Sequence, residues 1–350
     1  MFKSKTVFVI GAGASAEAGL PIGSDLTNDI ANLINFKLNV FQEVERGDPQ
    51  IVQCIREVIR QDPLGFRDSN FIGTSANMRT AMGLAASIDN YMEAHKTNRE
   101  VELIGKLAIA KAIINAERNS IMSYGGDSNA EPFEIRNVSG TWYRALAQLL
   151  FEGLELRDAD KVFANTAFIV FNYDRCLEHF LQRAISVYYR ISSLEAAQLV
   201  ARADIVHPYG KIGDLFATQA DELAFGSELI NLTKAAAQIK TFSERIDDDP
   251  FLTRIRHLIA ESQTTIFLGF AFHHSNIDLL TPGQAPERSR RVFATTYGVS
   301  ASDTSVIKDN ISQMFRGRPM RDRPEAGWQV ETFSGKCRDM FAEYWRSLSA

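Results

Sequence analysis

Six short apolar runs, widely spaced along 350 residues, constrain the fold of this chain more than any other feature. They are Thr6–Ile10, Ala167–Phe171, Asp204–His207, Thr264–Phe270, Arg291–Thr296 and Trp328–Phe333. The first is continuously apolar and ends in glycine, the pattern of a strand buried on both faces of a parallel sheet. Strands so far apart cannot be joined as hairpins and require helical crossovers. The predicted class is α/β, a parallel sheet flanked by helices, with a helical insertion after the first strand.

Between the first two runs, apolar residues recur three and four apart over Leu26–Phe41, Pro49–Ile59, Met78–Tyr91, Val101–Tyr124 and Thr141–Leu154. Gln61–Asn77 and Gly125–Glu134 are rich in turn-forming residues and read as loops. The whole chain, residues 1–350, is read as one domain carrying a helical insertion or subdomain at about Phe36–Asp160, with a separate helical domain as the other reading. Pro282–Arg291 and Arg316–Arg323 read as charged loops. The arginines of the second, Arg316, Arg318, Arg321 and Arg323, suit either solvent or an anionic partner.

Composition excludes several classes. The hydrophobic fraction of 45% and charged fraction of 23% are those of an ordinary globular protein. A net charge of −5 argues against direct nucleic-acid binding, which needs concentrated Lys and Arg. Cys54, Cys176 and Cys337 form no C-x-x-C pair, so neither a disulfide framework nor a zinc ribbon is expected. With no apolar signal region after Met1 and no apolar run of about 18 residues, the expected location is cytoplasmic, away from membranes.

Gly11-Ala12-Gly13-Ala14-Ser15-Ala16 follows the first strand directly and has the G-x-G-x-x-A spacing of a dinucleotide-binding turn. Gly11 allows the tight turn, Gly13 allows the backbone to approach a pyrophosphate, and Ala16 allows close helix–strand packing. The sheet is therefore predicted to be Rossmann-like. The acidic residue expected at the end of a second strand about 20 residues later is missing, which argues against an ordinary dehydrogenase. Gly19, Pro21 and Gly23 describe a loop able to fold over a ligand, or a simple helix break.

In open parallel sheets, ligands sit beyond the carboxyl ends of the strands. Asn172 and Asp174 follow the second run, and Asp174 fits either a site or a helix cap near Arg175. His207 follows the third run, where an imidazole suits proton transfer near neutrality. Gly269 closes the fourth, with Asn276 and Asp278 beyond it. His273 and His274 are adjacent, point apart and lack thiol or acidic partners at ligand spacing, so no metal is expected. G-x-S-x-G and H-E-x-x-H are absent.

Taken in order, these segments resemble the sirtuin family. Gly11-Ala12-Gly13-Ala14-Ser15, continuing to Gly19-Leu20-Pro21, resembles its G-A-G-x-S-x-x-x-G-[IL]-P loop. Phe171-Asn172-Tyr173-Asp174 resembles its Q-N-[IV]-D motif, and His207-Pro208-Tyr209-Gly210 is similar to its histidine-glycine segment. Gly269 and the polar residues after it, Asn276 among them, match loosely the strand end near the adenosine half of NAD. The four cysteines of the sirtuin zinc module are missing. Ile22-Gly23-Ser24-Asp25 stands where the family has Phe-Arg, and the F-N-Y-D form is closer to bacterial sirtuin-like proteins of antiphage defence.

The resemblance implies a gated NAD hydrolase that releases nicotinamide and ADP-ribose, with NAD as substrate and no prosthetic group. It implies that Gly11, Ala12, Gly13 and Ser15 hold the pyrophosphate under the Pro21 loop, that Asp174 seats the carboxamide, and that Asn172 orients ribose or water. His207 is implied as general base, with Gly269 and Asn276 toward the adenosine. Homo-oligomerisation, or a companion such as an ATPase or nucleotide-sensing subunit, is the implied restraint. The rival readings are a protein deacylase or ADP-ribosyltransferase, and a non-catalytic sensor of NAD or ADP-ribose.

Overall fold

The computed structural model describes residues 2–123, 134–216, 224–227, 231–241, 244, 249–283, 290–316 and 329–350. Most of the Gly125–Glu134 loop, the centre of Pro282–Arg291, and Arg318, Arg321 and Arg323 with the Arg316 side chain lie outside the described residues.

Six parallel strands form the main sheet: β1 Thr6–Ile10, β2 Thr166–Val170, β3 Asp204–Val206, β4 Thr264–Leu268, β5 Arg291–Thr295 and β6 Gln329–Phe333. Their spatial order is β3-β2-β1-β4-β5-β6. Thr6 pairs with Thr166 on one side and Thr264 on the other, so three buried strands run in step at the centre. The chain leaves β1 toward β2 and β3, then crosses back to β4. This is the doubly wound Rossmann order, with its switch point between β1 and β4. β2, β3, β4 and β5 end one or two residues earlier than their apolar runs, which places Phe171, His207, Gly269 and Phe270 in the loops beyond them.

Alternation along each strand feeds two cores. Val7, Val9, Ala167, Ile169, Phe267, Val292 and Ala294 face one side. Phe8, Ile10, Phe168, Val170, Ile266, Leu268 and Phe293 face the other. Helices Trp142–Phe151, Cys176–Tyr189, Ser193–Val200 and Cys337–Glu343 cover the second side. The first is covered by helices that include Gly23–Leu33, Pro49–Gln61, Phe71–Ala81, Ile88–Ala94 and Arg99–Asn119, all from the segment between β1 and β2. Residues of that helical segment and of the sheet thus share one continuous core.

Arg99–Asn119 is the longest of these helices. Asn98 caps it by accepting from the N–H groups of Glu100 and Val101, and Glu100 and Glu102 suit the positive end of its dipole. The expected loop at Gln61–Asn77 contains the start of helix Phe71–Ala81. Gly73, Thr74 and Ser75 hide it from propensity, but tertiary contacts make it. Asn70 caps Gly73, and the Glu100 carboxylate accepts from Ser69 Oγ at 2.5 Å, Asn70 N at 2.9 Å and Thr74 Oγ1 at 2.5 Å. The expected continuous helix over Met78–Tyr91 is broken instead, because Ala85 is extended and Ser87 caps a new helix at Ile88. Leu26–Phe41 likewise stops being helical after Leu33 and gives way to a small hairpin of Lys37–Leu38 with Val44–Arg46. Among the described residues, no helix is long and apolar enough to cross a membrane.

Candidate functional site

The site begins where the chain leaves β1 and β4. Gly11 N–H donates to Leu268 O at 2.9 Å and Gly13 N–H donates to Gly269 O at 3.0 Å. The two backbones cross in contact. A Cβ on Gly11 would lie 2.5 Å from Gly269 O, and one on Gly13 2.9 Å from Gly269 Cα. Gly269 has φ +55°, and its Cβ would lie 2.0 Å from Ala14 N. The glycine spacing expected to admit a pyrophosphate is thus already explained by a neighbouring strand end. The helix that follows is a single turn, Ala12–Ser15, continued by a 3-10 turn over Ala16–Ala18.

Two cavities flank this crossing. The smaller, about 180 Å³, is lined by Gly11, Ala12, Pro21, Asn172, Asp174 and Asn276 among others. The larger, about 650 Å³, is lined by Ala12, Gly13, Gly269, Phe272, Thr296 and Tyr297 among others. Ala12, Gly23, Phe270, Ala271 and His273 border both, so the two are lobes of one crevice at the switch point. The wall of the larger lobe is strained. Phe272 is buried with φ +55°, a conformation costly for a bulky residue and one that clusters at ligand sites.

Eight of the ten expected site residues therefore line the crevice; Ser15 and His207 do not. Ser15 lies just behind the wall. Asn172 Nδ2 donates to Ser15 Oγ at 2.8 Å and to Gly11 O at 3.1 Å, and Ser15 also hydrogen-bonds the Asp174 carboxyl. Both amide hydrogens of Asn172 are therefore spent on fixing β2 to the glycine turn, and its Oδ1 remains for a ligand. Asp174 accepts from Cys176 N at 3.1 Å, so it both caps the following helix and faces the cavity. Burial pushes its pKa up to about 6, against the pull of its hydrogen bonds to Cys176 and Ser15.

His207 does not have the environment of a general base. Its Nδ1–H donates to Asn172 O at 3.1 Å, and Nε2 lies 2.9 Å from Glu178 Oε1. Both ring nitrogens are thus engaged within the protein and neither is open to the crevice. Glu178 also receives Lys211 Nζ at 3.0 Å. Burial alone would raise the Glu178 pKa, but the charges and hydrogen bonds of His207 and Lys211 outweigh it and hold the carboxyl well below the usual range. The histidine props the backbone of Asn172 from behind.

The structure adds residues that the sequence reading passed over. Asp89 enters the smaller cavity from the helical segment and accepts from Tyr173 Oη. Burial raises its pKa, opposed by the Tyr173 hydroxyl, its own N–H and His273. Tyr209 Oη donates to Asn276 Oδ1 at 2.6 Å across the same lobe. In the larger lobe, Thr296 is 2% exposed and its Oγ1 has no hydrogen-bond partner among the described residues. No motif marks Asp89 or Thr296. Only Ser87-x-x-Asn90, a capping pattern, hints that Asp89 opens a helix. Among the described residues no cluster of three His, Cys, Asp or Glu is placed to hold a metal ion.

Fold and site together define a Rossmann-like α/β protein with a two-lobed crevice at its topological switch point. No protein-family model matches the chain, and comparison with curated proteins gives no match.

Proposed function

We propose that this crevice binds NAD as a substrate and hydrolyses the bond between nicotinamide and ribose. The observation that carries the reading is the network of Gly11, Ser15, Asn172 and Asp174, which sets an amide oxygen and a buried carboxyl in the smaller lobe. An ionised Asp174 suits the N–H groups of a carboxamide and the positive charge of a pyridinium ring. Phe171, Tyr173 and Phe270 supply aromatic walls. The larger lobe, with Tyr297, Phe272 and the unpartnered Thr296 hydroxyl, suits an adenosine. The pyridinium of NAD is already charged and leaves as neutral nicotinamide, so the site has chiefly to position NAD and stabilise an oxocarbenium-like ribosyl centre.

As in the antiphage proteins it resembles, the enzyme acts in the cytoplasm as an effector that depletes NAD, released by self-assembly or by a companion ATPase or nucleotide-sensing subunit. The test is incubation with NAD, with and without acetylated peptide, followed by assay of nicotinamide and ADP-ribose and by NAD titration. Nicotinamide and ADP-ribose from NAD alone support the reading. Release only with the peptide makes the protein a deacylase, and binding without release makes it a sensor. Asn172→Ala is expected to cut turnover by about 100-fold or more by removing a positioning amide. A chain that neither binds nor cleaves NAD sinks the proposal.

A further inference from the structure

The reaction needs a group to take the proton of the attacking water, and His207 has no open nitrogen for it. The smaller lobe contains a second carboxyl, Asp89, the second residue of helix Ile88–Ala94. Its placement is built rather than incidental. Ile88 and Met92 anchor the helix in the core, and Met92 packs where a Cβ on Gly105 would lie 2.6 Å from its Sδ. Ser87 Oγ accepts from Asn90 N at 3.1 Å and fixes the first turn. Tyr173, between Asn172 and Asp174, donates its hydroxyl to Asp89 Oδ1. That hydrogen bond and the one from its own N–H hold the carboxyl at the wall of the lobe.

We propose that Asp89 is the proton acceptor of this site, so that the helical segment between β1 and β2 completes the catalytic centre. The inference rests on the NAD-cleaving reading. As the C1′–N bond breaks, its electron pair passes to the pyridinium nitrogen and neutral nicotinamide leaves. A water oxygen bonds to C1′, and the water's proton passes to the Asp89 carboxylate, which later releases it to solvent. Undocking helix Ile88–Ala94 removes the acceptor and leaves the glycine crossing and Asn172 in place.

The test measures NAD turnover and NAD affinity for Asp89→Asn, Asp89→Ala and Tyr173→Phe, with and without azide. Azide attacks C1′ without losing a proton, so it bypasses a missing base. Asp89→Asn is expected to lose roughly 100- to 10,000-fold in turnover while NAD affinity stays within about threefold. Azide is expected to restore cleavage in Asp89→Ala and give the azido sugar. Tyr173→Phe is expected to lose about 10-fold, because the carboxylate is then less firmly held. Near-normal turnover by Asp89→Asn, or a folded, NAD-binding Asp89→Ala that azide does not rescue, overturns the proposal. An active wild type beside an unaffected Asp89→Asn sinks this inference alone. A wild type that neither binds NAD nor releases nicotinamide sinks the reading beneath it as well.

Discussion

Asp174 and Glu178 stand four residues apart, are equally buried, and respond to burial in opposite ways. Asp174 has hydrogen bonds but no cation, so desolvation wins and its pKa rises to about 6 from 3.8. Between those values the folded state holds more protons than the unfolded one, so this group makes stability fall as pH rises. Its cost persists above pH 6. Asp174→Asn keeps the acceptor for Cys176 N and is expected to raise Tm near pH 8, with the gain fading below about pH 4. Glu178 has His207 and Lys211 beside it and a depressed pKa, so it contributes stability above its ordinary 4.5 that is lost on acidification. Glu178→Gln is expected to lower Tm near neutrality, with the difference shrinking in acid. Thermal melts of both variants from about pH 2 to 8 check the two signs, and parallel curves for variant and wild type would refute them. At this scale the strand periodicity made Asn172 and Asp174 legible, since it alone places them beyond a strand. The direction of His207 was not legible. It depends on the Asn172 carbonyl and on Glu178, 35 and 29 residues away, which no local pattern pairs with it.

Among the elements, β1 and its glycine turn were legible because a five-residue apolar run ending in G-x-G has few other uses. What meets those glycines was not, because Gly269 lies far away in sequence. Gly13→Val, the obvious test of a pyrophosphate turn, would strike the Gly269 backbone before it met any ligand. The crossing itself is the better target. Gly269→Ala combines a left-handed φ with an overlap against Ala14 N and is expected to cost about 2–5 kcal/mol. Gly83→Ala, where nothing lies within 4 Å, is expected to change stability by less than about 1 kcal/mol. Urea denaturation of the two distinguishes a steric crossing from a general sensitivity to Gly→Ala. Helix Phe71–Ala81 was illegible for the complementary reason. Its organising group, Glu100, belongs to another helix, and no local window contains both.

Across the whole molecule, one buried ion pair ties the helical segment to the sheet. Glu117, near the end of helix Arg99–Asn119, accepts from Arg175 N at 3.0 Å, Nε at 3.1 Å and Nη2 at 2.5 Å, and from Gly226 N at 3.4 Å. Both side chains are almost completely buried. Periodicity places Glu117 on a helix, but no pattern reveals a partner 58 residues away. Arg175 directly follows Asp174, so the same pair holds the candidate site against the segment that supplies Asp89. Neutralising one member strands the other charge away from water, and Glu117→Leu or Arg175→Met alone is expected to cost about 3–5 kcal/mol. Replacing both by apolar residues, Glu117→Leu with Arg175→Met, removes the stranded charge and is expected to recover much of that loss. Chemical denaturation of the two singles and the double then yields a coupling energy of about 2 kcal/mol or more. If the single losses simply add in the double, the pair is not what joins the helical segment to the sheet.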